Sequence, residues 1–446
     1  MKLSQALRLS PLPRVALVGA GGKSTAMFTL ARELVKPVLL TTTTHLGLAQ
    51  LTLADHHFIF TAADQVPWPE VEFPQGVVVV TGIEDGSGRV YGLSEAVIQK
   101  LLEVANSLSV PMIIEADGSR LLPLKAPAEH EPAIPDFVDT VVVVAGLSAL
   151  GKPLVHDWVH RPERFAELSG LPIGAEITPR ALVRVMTHSQ GGLKNIPDRI
   201  QRVALLNQAD DESLQAQAQS IATQDFSGIR LLDTYHRVVI ASLQSPTVFA
   251  VHEPVAGIVL AAGGASRFGT AKQLLPWHGE PLVRRAARTA LEAGLSPVVV
   301  VSGEYTAETR DALDDLPVKV VENPGWSLGQ STSIKVGLGE LPPETGAVVF
   351  LLADQPMVPV SLLRALIEMH AASLNPIVAP LVDGQRANPV LFDRITFHDM
   401  ASLSGDIGGR PLFAKYAVSW VPWHDPRLLL DVDTPEDYQA LLQSDA

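Results

Sequence analysis

The chain has 446 residues, room for two to three domains at roughly 150 residues each. Hydrophobic residues make up 47% and charged residues 18%, which excludes a disordered chain; the absence of Cys excludes disulfides, Cys-ligated clusters or zinc, and a Cys nucleophile. The net charge is −14 with no basic stripe, which argues against nucleic acid or a membrane surface as a partner, so an anionic substrate must be held by backbone N–H groups, single Lys or Arg residues, or metal ions.

Residues 1–10 lack the layout of a signal peptide, and no apolar run reaches the ~18 residues of a membrane span. The expected location is the cytoplasm. Strand-like Val/Ile/Leu runs occur at 14–18, 38–43, 77–81, 112–116, 140–145 and 203–206, with helical patterns at 24–35 and 94–105. Such runs suit a parallel sheet covered on both faces. A second series has strands at 257–261, 298–301, 318–321, 348–352 and 377–379, with helices at 283–292, 362–369 and 435–442. Residues 245–254 read as an irregular junction. The expected fold class is α/β with two domains, 1–252 and 253–446, and no internal repeat. The first domain is expected to be a P-loop-like parallel-sheet domain.

The first strand runs into Gly19-Ala20-Gly21-Gly22-Lys23-Ser24-Thr25 and a helix follows, the order of a phosphate-binding loop. Gly19, Gly21 and Gly22 let N–H groups turn toward phosphate. Lys23 would reach the β- and γ-phosphates, and the Ser24 hydroxyl would reach Mg²⁺, with Thr25 completing the motif. The usual first Gly falls at Leu17, so this is the shorter G-x-x-G-K-[ST] form, resembling that of the amide ligases of cell-wall synthesis. The alternative is a tight turn with a solvent-facing Lys. Glu115 and Asp117, at the end of a neighbouring strand, are both candidates for a metal-holding acid; a turn residue capping its own backbone is the alternative. Thr41-Thr42-Thr43-Thr44-His45 places hydroxyls at a strand's carboxyl end, or reflects the β-propensity of Thr. Asn207-Gln208-Ala209-Asp210 resembles the N-K-x-D motif of GTP-binding proteins with Gln for Lys, in which Asp210 would accept from guanine's ring N–H and amino group.

Lys125-Ala126-Pro127-Ala128-Glu129-His130-Glu131-Pro132 is a rigid, polar loop. Together with Glu115-Ala116-Asp117-Gly118 and the glycine loop, it resembles the YqeC-type accessory proteins of selenium-dependent molybdenum hydroxylases. The resemblance implies binding of ATP or GTP, a cofactor-maturation context, and a molybdenum hydroxylase apoenzyme as partner. His156 and His160 have the i, i+4 spacing of a helical metal pair but no evident third ligand.

The second series opens on Leu260-Ala261-Ala262-Gly263-Gly264-Ala265-Ser266-Arg267-Phe268-Gly269, then Lys272-Gln273-Leu274-Leu275-Pro276. Glycines from Gly263 let N–H groups approach phosphates, Arg267 can fork onto phosphate oxygens, and Lys272 can place a point charge on the α-phosphate. Asp354, at a strand end, and Asp433, before the last helix, can converge on one Mg²⁺. Asp431 reads as part of a strand end and helix start, with Thr434 as N-cap and Pro435 at N1. The first of these segments resembles the signature L-A-A-G-x-S-x-R-x-G-x-x-K-x-L-L-P of the MobA-like nucleotidylyltransferases, with Ala265 in place of Ser. The segments around Trp326 and Ser331, Asn388 and Asp406 also fit that family, with Ala387 where Gly is usual. Turn chemistry is the alternative for the last two. The resemblance implies a Rossmann-like domain. Its site would comprise Arg267, Lys272, Asp354 and Asp433, with Ala261, Ala262, Gly263, Gly264, Ser331, Asn388 and Asp406 around the nucleotide and acceptor. Ala262 and the Asp-Gln-Pro of residues 354–356 favour the molybdenum cofactor cytidylyltransferase branch, which transfers CMP from CTP to molybdopterin cofactor with Mg²⁺. The rivals are a guanylyl or sugar-phosphate transferase of the same fold, and a cofactor-delivery chaperone with little turnover.

Overall fold

The computed structural model describes residues 1–263 and 271–443 and forms two compact units, Met1–His252 and Glu253–Ala446. The first unit is built on a nine-stranded sheet. Its order is Thr247–His252, Arg237–Ser242, Gln201–Asn207, Thr140–Gly146, Arg14–Gly19, Met112–Glu115, Val38–Thr42, Val77–Thr81 and His56–Ile59. Every neighbouring pair is parallel except the first, where Thr247–His252 runs antiparallel to Arg237–Ser242. Parallel strands covered on both faces must be apolar throughout, and Val77–Thr81 and Thr140–Gly146 are buried at every position. Helix Glu95–Ser107 covers the sheet with Val97, Ile98, Leu101, Val104 and Ala105, which share one helical face. Arg14–Gly19 sits at the centre, and the strands that follow it in sequence lie on both sides. The crevice at its carboxyl end is therefore a switch point, where open α/β sheets bind ligands.

Two strands of this unit run against expectation. Residues 245–254 are not an irregular junction: after a turn over residues 243–246, Thr247–His252 pairs along the sheet edge and buries Val248, Ala250 and Val251. His56–Ile59 forms the other edge with mostly exposed positions, which hid it among polar residues.

In the second unit the order is Lys319–Glu322, Val298–Ser302, Val255–Ala261, Ala347–Leu352, Val390–Asp393 and Ile377–Val382, the last also pairing with Val418–Trp423. The first four strands are parallel, and Val390–Asp393 is antiparallel to both of its neighbours. The sheet is therefore mixed. One face packs Val259, Ala287, Val300 and Leu363, the other Ile258, Val299, Ile334 and Phe392. Val255–Ala261 is the first strand of its unit in sequence and lies between two parallel neighbours, as Arg14–Gly19 does in the first unit. Among the described residues no helix is long and apolar enough to cross a membrane.

Candidate functional site

In the first unit the chain leaves Arg14–Gly19 through a left-handed turn, with φ of 84° at Gly21 and 118° at Gly22. A Cβ on Gly21 would lie 2.3 Å from Gly146 N, and one on Gly22 2.3 Å from Asn207 Nδ2, so only glycine fits. Gly22 caps helix Lys23–Glu33 without a side chain, which leaves the positive end of the helix clear. Lys23 is buried, and its Nζ donates to Gly19 O at 2.8 Å and lies 3.3 Å from Asp117 Oδ1 and 3.7 Å from Glu115 Oε1. A solvent-facing lysine is thus excluded.

The two acids of the neighbouring strand end have different surroundings. Ser24 Oγ donates to Glu115 Oε2 at 2.7 Å. Burial pushes the Glu115 carboxyl above its ordinary pKa, against the pull of Lys23 and Ser24. Asp117 Oδ2 instead accepts from Gly19 N and from Lys125 Nζ, both at 2.9 Å. Lys125 continues to Glu131 Oε2 at 2.8 Å, which also accepts from Arg161 at 2.9 Å. Asp117, expected beside Glu115 as a metal acid, is compensated by two lysines and pins the loop. Asn207 is a second pin, donating from Nδ2 to Gly21 O at 2.7 Å and accepting from Leu243 N at 3.0 Å. The hydroxyls of Thr41 and Thr42 are spent on Val80 O and Glu115 O, while Thr43 Oγ1 is buried without a hydrogen bond among the described residues. A cleft of about 1030 Å³ opens over the loop, lined by Gly21 to Thr25, Thr43, Glu115, Arg120, His160 and Arg161. His160 lies in a two-residue strand and His156 pairs with Glu163 at 3.1 Å, so the helical metal pair does not form.

In the second unit Val255–Ala261 runs into Ala262 and Gly263; Gly264 and Arg267 lie outside the described residues. A Cβ on Gly303 would sit 2.8 Å from both the Ala262 carbonyl and the Trp326 ring, so these three residues meet closely. Lys272 Nζ lies 2.5 Å from Asp354 Oδ2 and 3.0 Å from Asp433 Oδ1. Burial works against its charge, but the two carboxylates prevail and raise its pKa. Asp354 also offers its backbone carbonyl to Val432 N at 3.0 Å, which ties the strand end to residues 431–433. Asp431, expected to serve the strand end, joins the cluster: Gln355 Nε2 donates to its Oδ1 at 2.5 Å. Burial, with Asp354 and Asp433 nearby, raises its pKa. Thr434 accepts from Asp437 N at 3.2 Å at the start of helix Pro435–Gln443.

A cleft of about 650 Å³ joins this cluster through Gln355 and Asp431 and is lined further by Arg386, Asn388, Asp406 and Arg410. The Arg386 guanidinium lies 4.4 Å from the centre of the Phe413 ring. Burial, and then the like charge of Arg410, lower its pKa. Two guanidiniums lining one cleft, with like charges that oppose each other, favour an anion there. Asp406 accepts from Gln330 N at 3.3 Å, and buried Ser331 donates its N–H to Gly405 O at 3.3 Å, so both fasten the turn to helix Gln330–Gly339. From sequence Arg410 is only the last residue of the Gly-Asp-x-Gly-x-Arg turn, and Arg386 only the residue before Ala387-Asn388-Pro389; neither carries an assigned role there.

Comparison with known proteins follows the two units. Residues 15–163 match the YqeC protein family, and residues 257–421 match the MobA-like NTP transferase domain. The uncharacterized protein YqeC of Escherichia coli K12 is 34% identical over 197 residues, covering 43% of this chain and 75% of that protein. Nicotine blue oxidoreductase of Paenarthrobacter nicotinovorans is 31% identical over 198 residues, 42% of this chain and 96% of that protein. More distant is the molybdenum cofactor cytidylyltransferase of Escherichia coli K12, 23% identical over 193 residues, 41% of this chain and 92% of that protein. The chain thus belongs to the YqeC protein family through its first unit and to the MobA-like NTP transferase family through its second.

Proposed function

We propose that the second unit is a molybdenum cofactor cytidylyltransferase, moving CMP from CTP to the terminal phosphate of molybdopterin cofactor with release of pyrophosphate. The observation that carries this reading is the meeting of Lys272 with Asp354 and Asp433, next in sequence to a cleft whose lining includes Gln355, Asp431 and the guanidiniums of Arg386 and Arg410. An acceptor phosphate oxygen attacks the α-phosphorus in line. The bond from that phosphorus to the bridging oxygen breaks, and pyrophosphate leaves with the electron pair. A phosphate monoester needs little help from a base, so the work is positioning and charge compensation. Lys272 and Arg267 serve the phosphates of CTP, and Arg386 and Arg410 hold the anionic acceptor, with Asn388 and Asp406 shaping its loop. Two carboxylates, Asp354 and Asp433, meet Lys272, and their hard oxygen donors suit a divalent cation. Mg²⁺ held by Asp354 and Asp433 would supply further compensation of phosphate charge. Two features support CTP: Ala262 at the end of Val255–Ala261, where its methyl adds volume that a glycine would not, and the activity named for the Escherichia coli cytidylyltransferase relative.

The first unit, in this reading, binds ATP or GTP at residues 19–25 and serves maturation of a molybdenum hydroxylase. Buried Lys23 and the Ser24–Glu115 pair support it, with Ser24 and Glu115 as the ligands of Mg²⁺ and Asp117 as an anchor of the loop.

Incubation of the full chain with CTP, Mg²⁺ and molybdopterin, followed by identification of the dinucleotide and of pyrophosphate, tests the assignment. Equal use of GTP would end the cytidylyl reading. Oxidation or reduction of nicotine blue, without pyrophosphate release, would replace transfer by the chemistry named for the Paenarthrobacter relative.

A further inference from the structure

We infer that the nucleotide of the first unit is a guanine nucleotide, read by Asp210; this rests on the nucleotide-binding reading of the same loop. Strands Gln201–Asn207 and Arg237–Ser242 are parallel neighbours, two and three places from Arg14–Gly19 in the sheet. The segments after them face a cleft of about 520 Å³ that begins at Gly22 and Thr25 of the phosphate loop and reaches Asp210, Leu243 and Gln244. Asn207 fixes the spacing of the whole assembly. One side-chain amide holds Gly21 of the loop and Leu243 of the far segment together, so the phosphate end and the base end are set by the same buried group. Gln208 lines both this cleft and the larger one over the loop, and its Oε1 accepts from Ser148 at 2.7 Å.

Asp210 is exposed to the cleft, and buried Ser242 donates to its Oδ1 at 2.6 Å. No cation pairs with it among the described residues. Such a carboxylate only accepts hydrogen bonds. Guanine presents a ring N–H and an amino group side by side, two donors for one carboxylate. Adenine and cytosine present a ring-nitrogen lone pair at the equivalent place, which a carboxylate repels. Uracil offers a single N–H. The position of Asp210, held by a buried hydroxyl and gauged to the loop by Asn207, selects the one common base with adjacent donors.

The test titrates the full chain with GDP, ADP and XDP in the presence of Mg²⁺, counting only binding that Lys23→Ala removes. That criterion separates the signal from the second unit's nucleotide. GDP is expected to bind at least about tenfold tighter than ADP, the scale of a hydrogen bond to a charged group. Asp210→Asn should lose that preference and shift it toward XDP, because an amide N–H donates to the C2 carbonyl that xanthine carries in place of guanine's amino group. Lys23-dependent binding with no difference between GDP and ADP, or with GDP affinity unmoved in Asp210→Asn, overturns the guanine reading and leaves nucleotide binding standing. Absence of any Lys23-dependent binding overturns the nucleotide reading itself.

Discussion

Ser24 Oγ and Glu115 Oε2 are 2.7 Å apart, although 91 residues separate them in the chain. The bond joins the first turn of a helix to the last residue of a strand next to the one before it, so a hydroxyl and a carboxylate meet beside the glycine loop. Ser24→Ala is expected to weaken nucleotide binding about tenfold or more with Mg²⁺ present and to change it little in EDTA. Calorimetric titration under both conditions checks this. An equal loss in the two would mean that Ser24 touches no ion.

Lys23 and Lys272 each follow the first strand of their own unit. Loss of a charge-assisted phosphate contact is worth roughly 1.5–3 kcal/mol, about 10- to 150-fold. Lys272→Ala should cut CMP transfer by that factor, and Lys23→Ala should leave transfer near the wild-type rate. Abolition of transfer by Lys23→Ala would contradict two separate sites.

Asp354→Asn and Asp433→Asn keep shape and remove charge beside Lys272. Each should lower kcat by about 100-fold or more at saturating Mg²⁺, with the thermal transition nearly unchanged because neither side chain belongs to the apolar core. Turnover near wild type in either variant would remove that residue from the site.

Arg386→Ala and Arg410→Ala separate acceptor from nucleotide. Each should raise the acceptor KM about 10- to 100-fold while the KM for CTP stays put. A rise confined to CTP would move the guanidiniums to the nucleotide side.

Glu131 supplies the acid limb of the stability curve. Burial opposes its charge, yet Lys125, Ala128 N–H and Arg161 prevail and depress its pKa from 4.5 to about 2. A depressed carboxyl pKa gives stability that is complete above the unfolded value and is lost as pH falls through the folded one. The shift corresponds to about 3 kcal/mol. Glu131→Gln should therefore cost about that much at pH 7, and the gap from wild type should close between pH 4.5 and 2. Urea unfolding across that range reads the difference; a gap that persists at pH 2 would assign the stability to packing.

Much of the architecture is legible in the residues. Runs such as Val77–Thr81 must be wholly apolar because helices cover both faces, and the glycines at 19–22 announce a turn no other residue can make. Edge strands carry no such mark. His56–Ile59 is mostly exposed over only four residues, and Ser245-Pro246 in front of Thr247–His252 reads as punctuation. The site acids were visible as strand-end carboxylates, but their separate surroundings were not. What compensates Asp117 is Lys125, placed by the two-residue strand Leu124–Lys125 that a partner 35 residues away completes. What draws Asp431 inward is Gln355, 76 residues distant. Such pairings depend on the sheet order.

The edge strand Thr247–His252 also dictates where this polypeptide can be divided. The Ser-Pro-Thr at 245–247 invites a cut, but cutting there strips the partner from Arg237–Ser242. That strand is buried at all six positions, and its hydrogen-bonding groups would then stand open to pairing with another chain. Between His252 and Val255 only Glu253 and Pro254 are free of either sheet. Scission at that dipeptide keeps every rung of both ladders, so soluble halves are expected from the less conspicuous point and aggregates from the inviting one.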